Sequence, residues 1–296
     1  MGGIQSAAPG SPLELVGLAL DEIAASVSLS VLPGPLSHTA LRVSGIESPK
    51  VTRSLGRVLV GLLVGAVKCN VSLAAALLAD GIDDQLQLAA DVVELVGATN
   101  TFVTPEEILF RDTKRNAWLA EGLLHVLLTL QNREPAKLLG GRVHALRQIH
   151  PIPTQQGFDA VALYVNDDDA LSLAIGESKA SRQDGSGQLT QASKIFKSLD
   201  SGDHGRHLRQ ELTALEGYLS ADHAQQVSKA VLNRRCYVPS IVHERPFDAQ
   251  KERVTLRDLV PPLNRKRLLV IRLFDFHGFF DSVADAMRDA VTEIVV

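Results

Sequence analysis

Residues 158–165 (FDAVALYV) and 171–177 (LSLAIGE) are two short runs of β-forming residues separated by Asn166-Asp167-Asp168-Asp169. Runs of this kind, bounded by a polar turn, specify neighbouring antiparallel strands. This hairpin constrains the chain more than any other feature, because it decides which ends meet. The start of the first strand must lie beside the end of the second. Asp159 stands at that start and Glu177 at that end, so their carboxylates are expected to converge at one edge. Lys179 follows Glu177 by two residues, and positions i and i+2 of a strand face the same way. One carboxylate and one ammonium are therefore presented together.

The flanking pattern supplies the layers that such a hairpin needs. Thr104-Pro105-Glu106-Glu107 is a helix start, with an N-cap hydroxyl, proline in the first turn and acids at the positive end. A helix then spans about 116–132; its body, WLAEGLLHVLLTL, is apolar nearly all round and should be buried on most of its circumference. Glu121 and His125 are its conspicuous polar members. After Gly140-Gly141 the period changes to two, and 142–149 is expected to be a strand. A polar loop at 181–187 leads to helices over 188–199 and 204–219, with a last strand at 267–274 and a last helix at 281–294. Helix, strand, hairpin, helix, strand, helix is the order of an α/β sheet with covering helices.

The first hundred residues differ in character. They hold 5 Lys/Arg and 9 Asp/Glu, whereas residues 101–296 hold 25 of each. Helical spacing at 13–25 and 82–96, and an almost uniformly apolar stretch at 55–79, predict a mostly helical region 1–100 ahead of a domain 101–296. Prolines 33, 35 and 49 interrupt it, so 37–46 is a short strand or loop. This region offers no candidate ligand and more apolar surface than a small core needs, which points to partner docking or restraint.

Composition removes several classes. With 45% apolar residues the chain is neither disordered nor short of a core. The strongest membrane candidate, residues 58–67, is half of the ~20 residues that a spanning helix needs. No export signal stands out, and two cysteines, Cys69 and Cys236, allow no disulfide framework. A cytoplasmic, membrane-free protein is expected. No global basic field is present, so nucleic-acid binding requires a local patch.

The chemistry of the hairpin edge follows from charge. Two carboxylates meeting on an apolar sheet repel each other unless a cation lies between them, and oxygen-only donors suit Mg²⁺ or Mn²⁺. A lysine alongside can orient a water or stabilise charge on a phosphoryl group. These are the parts of a metal-dependent phosphodiesterase. Gly157-Phe158-Asp159, followed after 17 residues by Glu177-Ser178-Lys179, resembles the two half-motifs of the PD-(D/E)XK nuclease superfamily. Phe158 stands in place of the family's proline. Glu121 matches the extra carboxylate that many such nucleases carry on their first core helix. More narrowly, AEGLLHVLL, QGFDAVALYV and LAIGESKAS are similar to the HamA-type nuclease subunits of Hachiman antiphage systems, over about residues 115–200.

The resemblance implies a restriction-endonuclease-like core, a Mg²⁺-dependent deoxyribonuclease (Mn²⁺ substituting), and metal ligands Asp159, Glu177 and Glu121 assisted by Lys179. It further implies DNA as substrate, antiphage defence as the role, and a HamB-type superfamily 2 helicase as partner. A stand-alone restriction or RecB-like repair nuclease, or a degenerate binding subunit, are the alternatives. Phosphate contacts are expected from Arg182, Gln188, Gln191, Lys194 and Lys197, which follow the E-x-K triplet. A Glu121–His125 pair one helical turn apart is the structural alternative for that carboxylate. Residues 176–180 half-match the G-x-S-x-G elbow of serine hydrolases, but Ala180 takes the place of the last glycine.

Overall fold

The computed structural model describes residues 11–34, 37–67, 70–71, 85–133, 138–153, 157–227 and 229–294. Residues 72–84, which hold the last eight residues of the apolar 55–79 stretch, lie outside these, as does Cys69. The protein is built on a mixed sheet of eight strands in the order β1-β2-β8-β7-β6-β5-β4-β3. The strands are β1 Ser28–Leu32, β2 Thr39–Ser44, β3 Asn70–Val71, β4 Gly141–Arg147, β5 Ala160–Asn166, β6 Leu171–Ser181, β7 Arg235–His243 and β8 Arg267–Arg272. The hairpin forms as its turn chemistry dictates: β5 pairs antiparallel with β6, Ala160 opposite Gly176 and Val165 opposite Leu171. β6, β7, β8 and β2 then run parallel to one another.

Two apolar layers cover the sheet. Alternation along β5 sends Ala160, Ala162 and Tyr164 to one core and Val161 and Leu163 to the other. Strands buried on both faces read as continuous apolar runs, which is why β5 and β6 were the clearest strands in the sequence. Helices Pro12–Ser26, Pro49–Leu63, Asn116–Leu130 and Phe276–Ile294 pack in the first core. Gly185–Ser201 and Gly205–Glu216 close the second. The Asn116–Leu130 helix is covered by the sheet on one side and by the Pro49–Leu63 helix on another. At Gly122 an added Cβ would lie 2.4 Å from Leu59 Cδ2, so the glycine lets the Leu59 side chain pack directly on this helix. Residues 55–67 are buried against the chain's own core, except that Arg57 and Leu63 are half-buried.

Three features depart from the sequence reading. β7 was not anticipated, because Pro239 in its middle argues against a central strand. The structure accommodates it: the β7–β8 ladder runs from Ser240 to His243, with an isolated bridge at Tyr237–Lys266, and Pro239 falls in the gap. The last helix starts at Phe276, not at 281, because Asp275 caps it through Gly278 N–H at 3.0 Å. Finally, β1 and β2 extend the same sheet through β8. Residues on both sides of position 100 therefore share one structure. Among the described residues no helix is long and apolar enough to cross a membrane.

Candidate active site

Glu121 reaches the site from the buried Asn116–Leu130 helix. Its neighbour is not His125 but His150, on the segment after β4. Glu121 Oε1 accepts the His150 backbone N–H at 3.1 Å and lies 2.9 Å from His150 Nδ1. Arg147 Nη1 donates to His150 Nε2 at 3.0 Å, which leaves the ring proton on Nδ1, toward Glu121. His125 lies 4.0 Å from Glu121 and donates from Nε2 to the Asp159 carbonyl at 2.7 Å instead. It thus holds the backbone of the first hairpin residue.

Asp159 immediately precedes β5, and its Oδ2 accepts the Ser178 N–H at 2.7 Å across the hairpin. That bond fixes the carboxylate beside the E-x-K triplet. Lys179 Nζ lies 2.5 Å from Glu177 Oε1 and 3.9 Å from Asp159 Oδ2. The hairpin geometry read from the sequence thereby gathers Asp159, Glu177 and Lys179. At Gly176 a Cβ would lie 2.6 Å from Leu124 Cδ2, so its absence eases the close packing of the helix bearing Glu121 on β6.

Burial dominates the electrostatics. It pushes Glu121 well above the usual carboxylate range, with Asp159 adding to the effect. Glu177 is raised to about 7, by burial first and by Asp159 second. Burial also raises Asp159, although Lys179 and the Ser178 N–H work against it. The same burial opposes the Lys179 charge, but Glu177 and Asp159 outweigh it and hold its pKa above the ordinary lysine value. Three buried carboxyls around one ammonium resist ionising together, because fully ionised they would leave an excess of negative charge in a low-dielectric site.

A divalent cation fits that excess. Glu121, His150 and Asp159 each offer a ligand atom, all within 4.8 Å of one another. For Nδ1 to bind a cation, the His150 ring proton would have to move to Nε2 and the Arg147 hydrogen bond there be given up. Glu177 Oε2 is buried without a hydrogen-bond partner, so this carboxylate retains unused donor capacity. Sequence reasoning missed His150. A histidine nine residues before the acidic strand start at Asp159 has no spacing signal, and only the fold after β4 returns it to the helix.

The expected phosphate-binding residues are spread more widely. Gln188, Gln191, Lys194 and Lys197 lie on the Gly185–Ser201 helix, but 188 and 197 are about half a turn apart around it. Lys194 and Lys197, three residues apart, line a cavity of about 220 Å³ facing Val254 and Leu259. Arg182 Nε lies 3.7 Å from Glu244 Oε1 beyond the end of β6. Ser178 is no hydrolase nucleophile: it sits within β6, is buried, and donates its hydroxyl proton to the Ala120 carbonyl at 2.8 Å. No protein-family model matches the chain, and no curated protein matches it.

Proposed function

We propose that this chain is a divalent-cation-dependent nuclease with a restriction-endonuclease-like core, hydrolysing phosphodiester bonds of DNA. The observation that carries the reading is the meeting of Asp159, Glu177 and Lys179 on one hairpin edge, with Glu121 delivered from the buried helix beside it. Connectivity supports it as well. A helix, an antiparallel β4-β5-β6 meander, a second helix and the parallel β7 succeed one another around the site.

Asp159, Glu121 and His150 would hold the cation, with Glu177 able to join through Oε2. The cation would supply Lewis-acid polarisation of a phosphodiester oxygen. Lys179, kept charged by its two acidic neighbours, orients a water or balances charge at the phosphoryl group. Glu177 keeps the ammonium in place. Arg147, bound to His150, to the Phe158 carbonyl and to Glu211 at 3.0 Å each, braces the segment that carries Asp159. Resemblance extends the proposal to antiphage defence with a HamB-type helicase as partner.

The test is incubation of the purified chain with plasmid, linear and single-stranded DNA in Mg²⁺ or in EDTA. Cleavage with Mg²⁺ and none with EDTA is expected, and Ser178→Ala should remain active. Cleavage that ignores EDTA, or a folded Glu177→Ala protein that cuts like wild type, would sink the proposal.

A further inference from the structure

We infer that the cleft at the carboxyl ends of β2, β8 and β7 seats an unpaired nucleotide of the substrate strand. Its phosphate would lie on Arg42 and Arg272 and its base on Phe274; the inference rests on the nuclease reading above. The cleft encloses about 640 Å³, and Arg42, Glu47, His243, Phe247, Arg272 and Phe274 are among its walls. Parallel α/β sheets bind ligands beyond the carboxyl ends of their strands, and this cleft lies there.

Register ties the cleft to the candidate active site. Lys179 is paired with Ile241, Ile241 with Val270, and Val270 with Arg42. In-register residues of parallel strands share a face, so Arg42 stands in the same row as Lys179, three strands away. Ser181, His243 and Arg272 form the next row toward the carboxyl edge. Strands are ~4.8 Å apart, which puts the two arginines roughly 10–14 Å across the sheet from β6. One strand of nucleic acid carries a charge about every 3.4 Å, so this span covers a few nucleotides beside the cleavage site.

The side chains suit such a guest. Among the described residues, Arg42 and Arg272 make neither an ion pair nor a hydrogen bond through their side chains. Phe274 is the most exposed large apolar side chain described, at 84%, and the Arg272 guanidinium lies 5.9 Å from its ring centre. A bare aromatic ring beside a free guanidinium is a stacking platform with its phosphate counter-charge. The two acids of the cleft are already engaged. Glu47 Oε1 accepts the backbone N–H of Phe274 at 2.8 Å and of Asp275 at 3.4 Å, and Asp248 Oδ1 accepts that of Gln250 at 2.9 Å.

The Glu47 bonds also hold the Phe274 backbone in position. Two long helices, Pro49–Leu63 and Phe276–Ile294, begin at this rim and add the positive ends of their dipoles. On the cleft floor, buried His243 has an Nε2 without a hydrogen-bond partner. A base can stack on Phe274 only when it is unstacked from its own duplex. The cleft therefore selects single-stranded or frayed DNA.

The experiment is fluorescence anisotropy of the full chain in EDTA, with one labelled single-stranded DNA and its duplex, at several salt concentrations. Expected is tighter binding of the single strand. Arg42→Ala with Arg272→Ala should flatten the salt slope by about 1.4, and Phe274→Ala should weaken binding roughly 5- to 150-fold. All three residues are exposed, so folding is not at stake. If wild type binds and cuts while these variants bind as tightly, the cleft proposal is overturned and the nuclease reading stands. If wild type neither binds nor cuts, both fall. Should dAMP raise the melting temperature of wild type but not of the double arginine variant, with strand affinity unchanged in both, the cleft takes a free nucleotide. That outcome also overturns the proposal.

Discussion

Glu177 is one residue through which pH acts on this site. Its carboxyl ordinarily titrates near 4.5 and is raised to about 7 in the fold, first by burial. Between those values the folded state binds more protons than the unfolded one, so stability falls as pH rises through that window. His125, held near 4 by burial, acts in the opposite sense below its ordinary 6.5. Comparing variants separates the two. Metal-free wild type should lose roughly 3–6 °C more than Glu177→Gln between pH 5 and pH 7.5, measured by thermal melts, and Mn²⁺ should restore it. Parallel melting curves for the two proteins would refute the assignment. His150 gives a second prediction. An imidazole beside two carboxylates favours Mn²⁺ over Mg²⁺, whereas carboxylates alone suit Mg²⁺. Cleavage by wild type should therefore saturate at lower Mn²⁺ than Mg²⁺, and His150→Ala should narrow that preference at least several-fold. An unchanged ratio would remove His150 from the metal-binding set.

At the scale of elements, the close approach of the Asn116–Leu130 helix to β6 through Gly176 sets the geometry of the site. Gly176→Val should lower the melting temperature by several degrees through overpacking and reduce cleavage more than stability alone explains. Adding Leu124→Ala should recover part of both, because the two side chains compete for one space. Simple addition of the two losses would show that the contact does not position Glu121. The hairpin was legible from its alternating apolar runs and acidic turn, and with it the meeting of Asp159, Glu177 and Lys179. The buried helix was legible from its uniform apolarity. β7 was not, because Pro239 is a signal against a strand that only its place in a gap of the β8 ladder overrides. His150 was equally hidden, since its role depends on a tertiary return to Glu121 that leaves no periodic trace. The pairing of Glu121 with His125, natural by helical spacing, gave way because His125 found the Asp159 carbonyl.

Across the whole molecule, the strands and helices of the first hundred residues complete the sheet and core that hold the site. β2 covers one edge of β8, and the Pro49–Leu63 helix packs on an apolar face of the Phe276–Ile294 helix, with Gly56 against Ala286 and Met287. A fragment limited to residues 101–296 would expose both an open strand edge and that apolar face. It should be insoluble or lack a cooperative melting transition, as calorimetry would report; a fragment that melts cooperatively and cuts DNA would contradict this. Whether the hairpin carboxylates and Glu121 form one cation-dependent hydrolytic centre can be read from cleavage rate against Mn²⁺ concentration. Wild type, Glu121→Gln, Asp159→Asn and Glu177→Gln would be compared, each first shown by circular dichroism to be folded. Little or no cleavage is expected from Asp159→Asn and Glu177→Gln at any Mn²⁺ concentration, and from Glu121→Gln a curve displaced to higher Mn²⁺ and partly rescued there. Folded variants whose curves superimpose on that of wild type would contradict such a centre.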